Sequence, residues 1–141
     1  MPSNPYQKYK STKYETASQE KLLIMLYEGA IKFSNQAKQA IDDKDIEGTN
    51  KKLQRVQAII NELRSTLNME AGGEIANNLD NLYEYMNRRL IQANIRKDKE
   101  IVDEIIELLA GLKDSWEQAS QKLKSSSSQQ TQTKERINIE G

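Results

Sequence analysis

The sequence predicts an all-α protein: an antiparallel four-helix bundle with a short N-terminal leader and a flexible C-terminal tail. Three observations carry that prediction. Both prolines fall at positions 2 and 5, so nothing downstream removes a backbone donor or clashes with a helical turn. Four successive segments place apolar residues at steps of three and four, the period of one helix face. The polar breaks between them are about four to seven residues long, a length that joins antiparallel neighbours in a bundle. The chain therefore divides into a leader (1–17), a bundle (18–124) and a low-complexity tail (125–141).

The first helix is expected from about Ser18 to Ile41, with Leu22, Leu23, Leu26, Ala30, Phe33, Ala37 and Ala40 inward and Ser18 as N-cap. The polar "DDKD" follows, with Asp45 as the next cap. In the second helix Ile46, Thr49, Leu53, Val56, Ile60, Leu63 and Leu67 make an unbroken heptad seam, and "NMEAGG" supplies the exit. The third helix starts near Glu74, with Ile75, Leu79, Leu82, Tyr83, Met86, Leu90 and Ala93 inward. After "RKDK", capped by Asp98, the fourth turns Val102, Ile105, Leu109, Leu112, Trp116, Ala119 and Leu123 to the core. Beyond about Lys124 the "SSSSQQTQTKERINIEG" stretch has too little apolar surface to offset the entropy of ordering it.

Composition narrows the function. Cysteine and histidine are both absent. No thiolate is available as nucleophile or ligand, and the commonest metal ligand and general base are missing. The Glu-x-x-His pairs of di-iron bundles cannot be built. The expectation is a non-enzyme with no cofactor and no metal, working in the cytoplasm. No apolar run has the length of a membrane span, and the start lacks the charged-then-apolar pattern of a signal peptide. The formal net charge is zero but unevenly placed: residues 18–120 carry 14 basic and 18 acidic side chains between two arms of +2 each. A folded part at −4 argues against nucleic acid and for a protein partner.

Several apolar residues do not fit a single core stripe. On a wheel centred between Leu22 and Ala30, Ile24 and Ile31 fall on the far side of the first helix, with Tyr27 on the flank. The third helix repeats the pattern: Ile91 and Ile95 point away from its core stripe and Tyr85 sits off the other edge. Such pairs mark a patch covered either by the leader or by a partner. Arg88 and Arg89 sit mid-helix. Arg89, on the core side, must find a carboxylate or a carbonyl within the bundle or on a partner. The leader "NPYQKYKSTKY" holds three tyrosines with no core period to bury them, which suits it to cover such a patch.

The stretches "NPYQKY", "TASQEKLLIMLYEGA", "GGEIANNLDNLYEYMNRRLIQANIRKD" and "LKDSWEQA" together resemble the flagellin-specific export chaperones, the FliS family. The resemblance covers residues 4 to about 120. Gln19 departs from it, since members often carry proline in the first helical turn, and the Ser/Gln-rich tail lies outside it. It implies an antiparallel four-helix bundle that binds the C-terminal segment of flagellin, prevents premature polymerisation and delivers it to the flagellar type III export gate. It also implies that the N-terminal segment lies over part of the client site when flagellin is absent. The partner-binding residues expected on this basis are Tyr6, Tyr9, Ile24, Tyr27, Ile31, Tyr85, Arg88, Ile91 and Ile95. The other reading of the same patch is a regulatory adaptor of flagellar assembly or secretion whose main partner is not flagellin but another secretion or regulatory protein docking on the leader. Neither reading involves nucleic acid or membrane insertion.

Overall fold

A computed structural model describes the backbone of residues 15–140 and the side chains of residues 19–122. Tyr6, Tyr9 and Tyr14 lie outside the described residues, as does the side chain of Leu123. Four helices follow in order: α1 (Glu15–Asp42), α2 (Ile46–Ser65), α3 (Met69–Arg96) and α4 (Lys99–Glu140). They form a ring in which each helix packs only on its two neighbours, α1–α2, α2–α3, α3–α4 and α4–α1.

The pairing is antiparallel, and cross-helix contacts fix its register. Between α1 and α4, Glu20 meets Ser120 (2.7 Å), Tyr27 meets Trp116, Lys38 meets Asp103 (2.5 Å) and Asp42 meets Lys99 (2.6 Å). Between α2 and α3, Arg64 meets Asp80 (2.8 Å), Asn61 meets Asn87 (3.0 Å) and Asn50 meets Lys97 (2.7 Å). Between α1 and α2 the backbones come close: a Cβ placed on Gly29 would lie 3.4 Å from Ile59 Cδ1. Ala30, Ser34 and Ala37 are also buried on α1, and such small side chains admit a close approach.

The connections are shorter than the sequence predicts, because caps rather than loops end the helices. Asp45 accepts from Gly48 N and opens α2, as expected. A Cβ at Gly48 would lie 2.2 Å from the Asp45 carboxylate, so a larger residue there would make the capping side chain shift. Lys44 (φ 58°) and Lys97 (φ 52°) take the left-handed conformation that turns the chain out of α1 and α3. Asp98 accepts from Glu100 N at the start of α4. Asn68 accepts from Ala71 N, so α3 begins at Met69 rather than near Glu74. The expected glycine exit lies inside it as a kink, with Gly73 at φ 53°, ψ −126°.

The core consists of Tyr27, Ala30 and Ala37 of α1, Leu53, Val56, Ile60 and Leu63 of α2, Tyr83, Met86, Leu90 and Ala93 of α3, and Ile101, Val102, Ile105 and Leu109 of α4. Each large aliphatic residue among them contributes about 1.5–3 kcal/mol by leaving water. Four expectations are corrected here. Ser18 lies within α1 and is not its cap, because the helix begins at Glu15. The buried stripe of α1 runs through Tyr27, Ala30, Ser34 and Ala37, roughly 60° round the wheel from the predicted one. Leu22, Ile46 and Ile75 are exposed rather than inward, and so is Ala119. Trp116 is half-buried at the edge of the core rather than enclosed. The segment expected as a tail from residue 125 continues α4 as helical backbone to Glu140, with no proline or glycine in it to stop the helix.

Candidate partner-binding surfaces

The helices differ in length, and that difference shapes one end of the bundle. The α2 helix has 20 residues against 28 in α1 and 28 in α3. From the Gly29–Ile59 contact, the last residue of α2, Ser65, stands level with Leu23 of α1. From the Arg64–Asp80 pair it stands level with Leu79 of α3. The first turns of α1 and the residues of α3 before Leu79, kinked at Gly73, therefore lie beyond the last turn of α2. With the Thr66–Asn68 connection, whose Leu67 packs on the core, they make up a notched apolar end of the bundle. Several apolar side chains at this level are exposed. Leu22 is 47% exposed, Met25 56% and Ile75 73%, and Met69 is also exposed.

Below the notch lies a cluster of aromatic side chains from three helices. Trp116 Nε1 donates to the Tyr27 hydroxyl at 3.0 Å, and Tyr27 shares a short hydrogen bond with the Tyr83 hydroxyl. Burial pushes both phenols above their usual range; for Tyr83 its hydrogen bond with Tyr27 adds to it. Both therefore remain neutral, and the cluster is a structural tie between α1, α3 and α4, not an acid–base device. Tyr27, expected as a partner residue, is fully buried in this tie and cannot touch a partner in this state. A wheel weighted by hydrophobicity misses it, since it counts the large residues at the α2 edge and not the small ones that permit closest packing.

The remaining predicted residues fall on separate faces. Ile24 and Ile31 are half-buried on the flank of α1 that meets α4, and Ile31 packs against the core. Tyr85 is at the α3–α4 seam, where its hydroxyl donates to Glu104 Oε2 at 3.0 Å. Glu104 also accepts from Arg89 Nε at 2.9 Å, and Arg89 holds its carboxyl below the usual range. Arg89 is thus the clamp to a carboxylate that its core-side position requires. Arg88, Ile91 and Ile95 form one exposed stripe on the outer side of α3, with Ile95 78% exposed. Since α1 and α3 stand diagonally across the ring and meet in the core through the Tyr27–Tyr83 hydrogen bond rather than along a shared outer seam, the expected single patch resolves into an α1 flank and an α3 stripe.

The apolar ground that sequence reading missed is the notch: Leu22, Met25, Met69 and Ile75. The periodic segments of the sequence are nearly equal in length and gave no signal for it. At the opposite end a dent of ≈ 250 Å³, lined by Ala40, Ile41, Lys44, Asp45, Ile46, Thr49 and Lys97, is the counterpart. Among the described residues no group of three or more carboxylate, imidazole or thiolate side chains could hold a metal ion. None of the helices described is long and apolar enough to cross a membrane.

A family model described as flagellar protein FliS matches residues 2–123. The flagellar secretion chaperone FliS of Bacillus subtilis (strain 168) is 40% identical over 118 residues, 84% of this chain and 87% of that protein. Its namesake in Salmonella typhimurium is 39% identical over 108 residues, 76% of this chain and 80% of that protein. Among solved structures, one titled "Crystal structure of flagellar chaperone from bacteria" superposes with a TM-score of 0.71 at 20% identity. It covers 83% of this chain and 95% of its own, and it supports the four-helix fold.

Proposed function

The chain belongs to the FliS family of flagellar secretion chaperones, a family of binding proteins and not of enzymes, and from that premise we propose that it holds the C-terminal segment of flagellin in the cytoplasm, keeps it from polymerising and hands it to the flagellar export gate. The observation that carries this reading is the notch above α2. Leu22 and Met25 stand exposed on α1 and Met69 and Ile75 on α3, all beyond the last residue of α2. An amphipathic helix laid there would continue the α2 column and restore the missing fourth neighbour, the helix-in-groove mode of recognition. The α1 overhang from Glu15 to Leu22 is roughly 12 Å long at 1.5 Å per residue, enough for about two turns of client helix.

The rest of the client would run along the outside of the bundle. The α3 stripe of Arg88, Ile91 and Ile95 is the second apolar ground we assign to it. Ordering a disordered segment consumes much of the gross interaction, so affinity stays moderate and release needs no nucleotide. Tyr6 and Tyr9 belong to a leader that joins α1 at the notch end, and we assign them the role of a detachable cover. Ile24, Ile31 and Tyr85 are support for the bundle on this reading rather than contacts with the client.

Co-purification with flagellin tests the proposal. Full-length flagellin should bind, and flagellin lacking its C-terminal segment should not. Binding that survives the truncation, or no binding at all, would move the reading to an adaptor with a different main partner.

A further inference from the structure

Each of three helix seams is bridged by ion pairs. Lys38–Asp103, Lys99–Asp42 and Lys113–Glu28 (3.8 Å) cross α1–α4; Arg89–Glu104 crosses α3–α4; Arg64–Asp80 crosses α2–α3. Among the described residues the α1–α2 seam has none. Instead it stacks two cations on one ring: Lys52 Nζ lies 5.5 Å and Arg55 Cζ 5.2 Å from the centroid of Phe33. Neither is within ion-pair distance of a described carboxylate. Beside them opens a furrow of ≈ 360 Å³ lined by Gly48, Lys51, Lys52, Gln54, Arg55 and Ala58. Lys51 pairs only with Glu47 on its own helix, at 3.2 Å and largely exposed, a contact that water and salt weaken.

We propose that this furrow on α2 is a second docking surface, for an acidic segment of a partner protein, separate from the notch and from the α3 stripe. Two like charges held over one ring repel each other, and an anion laid between them relieves that repulsion. The ring fixes both cations in advance, so less side-chain entropy is lost when a carboxylate arrives. A guanidinium over a ring keeps its edge N–H donors for bidentate carboxylate contacts. Gly48 and Ala58 leave room for the partner's backbone. The patch matches carboxylates on one or two turns of a peptide. It is too short for a nucleic acid, which needs an extended basic stripe, and the diagonal helix α4 is acidic along Glu100, Glu107 and Asp114.

The test titrates the full chain with a short fluorescein-labelled peptide carrying a glutamate at each helical turn, at low and at physiological salt. Its glutamine counterpart and a short DNA duplex serve as comparison probes. The glutamate peptide should bind and weaken with salt, and Lys52→Gln with Arg55→Gln should lower its affinity by about tenfold. Phe33→Leu should lower it by a few-fold, and Arg55→Lys by less than the double change. Amide shifts on titration should concentrate on residues 48–58. Binding of the flagellin C-terminal segment should be unaffected by the double change, so this proposal and the chaperone reading fail independently. Equal binding of the glutamine peptide, stronger binding of the duplex, or affinity unchanged in the double variant would overturn it. So would a salt-sensitive dimer lost in that variant, which would make a second copy of the chain the occupant.

Discussion

The two ends of this bundle are held by different physics. At the end carrying the α1–α2 and α3–α4 turns, polar groups close the structure. Asp45 and Asp98 cap helices, Lys99 meets Asp42, and Lys97 donates to both Asn50 and Asn94. At the other end one short connection, Thr66–Asn68, joins α2 to α3, and the chain enters and leaves there. Apolar side chains stand exposed, with an aromatic tie beneath them. The difference teaches that polar closure and exposed apolar surface are separated along the length of one small fold. The closed end satisfies its backbone locally, whereas the open end retains apolar surface for a neighbour it does not itself supply.

The largest expected effect lies at the foundation of the open end. Tyr27→Ala removes a fully buried ring and strands the hydroxyl of Tyr83, and should cost about 3–5 kcal/mol in chemical denaturation. A loss under about 1 kcal/mol would mean that the tie is not structural. Next, Leu22→Asp with Met25→Asp should weaken binding of the flagellin C-terminal segment by about tenfold, or about 1.4 kcal/mol, with the melting temperature nearly unchanged. An intact affinity would erase the distinction between the ends. Asp45→Ala, at the closed end, should cost about 1 kcal/mol of stability through the lost cap. It should leave client affinity alone, and calorimetry of melting and of binding separates the two.

The smallest effect is pH-dependent and belongs to the α3–α4 seam. Arg89 holds the Glu104 carboxyl below its unfolded value. Its contribution is present above the ordinary carboxylate range and is lost as pH falls through the lowered folded value. Glu104→Gln should therefore flatten the acid limb of the stability–pH curve slightly. A curve with an unchanged acid limb would remove the pair from the account.

Much of this was legible in the sequence because α2 obeys the simplest rule. Thr49, Leu53, Val56, Ile60 and Leu63, read as a heptad seam, are all buried. The Asp45 and Asp98 caps follow from side-chain chemistry that acts within three residues. The α1 helix was misread because its closest-packed face is made of Ala30, Ser34 and Ala37, which contribute little to a hydrophobic wheel. Ile31→Asp, a surface change on that wheel, becomes a change against the core. Ile75 lies on the inward side by period, yet the helix it would pack on ends at Ser65. Periodicity assigns a direction and carries no information about where a neighbour stops. The two-faced character of the site had the same origin, since a wheel drawn for each helix does not say that α1 and α3 stand diagonally apart.

Trp116 has a consequence of an optical kind. It is the chain's single tryptophan, half-buried at the edge of the open end, with its indole N–H on the Tyr27 hydroxyl. Indole emission shifts to the blue when water leaves the ring, and Tyr27 and Tyr83 stand close enough to pass excitation to it. On the proposed reading, a client helix at the notch should shift the emission of that indole through the Tyr27 tie beneath it. The protein thus carries a label-free fluorophore next to its apolar end, and occupation of that end is expected to be read as a colour.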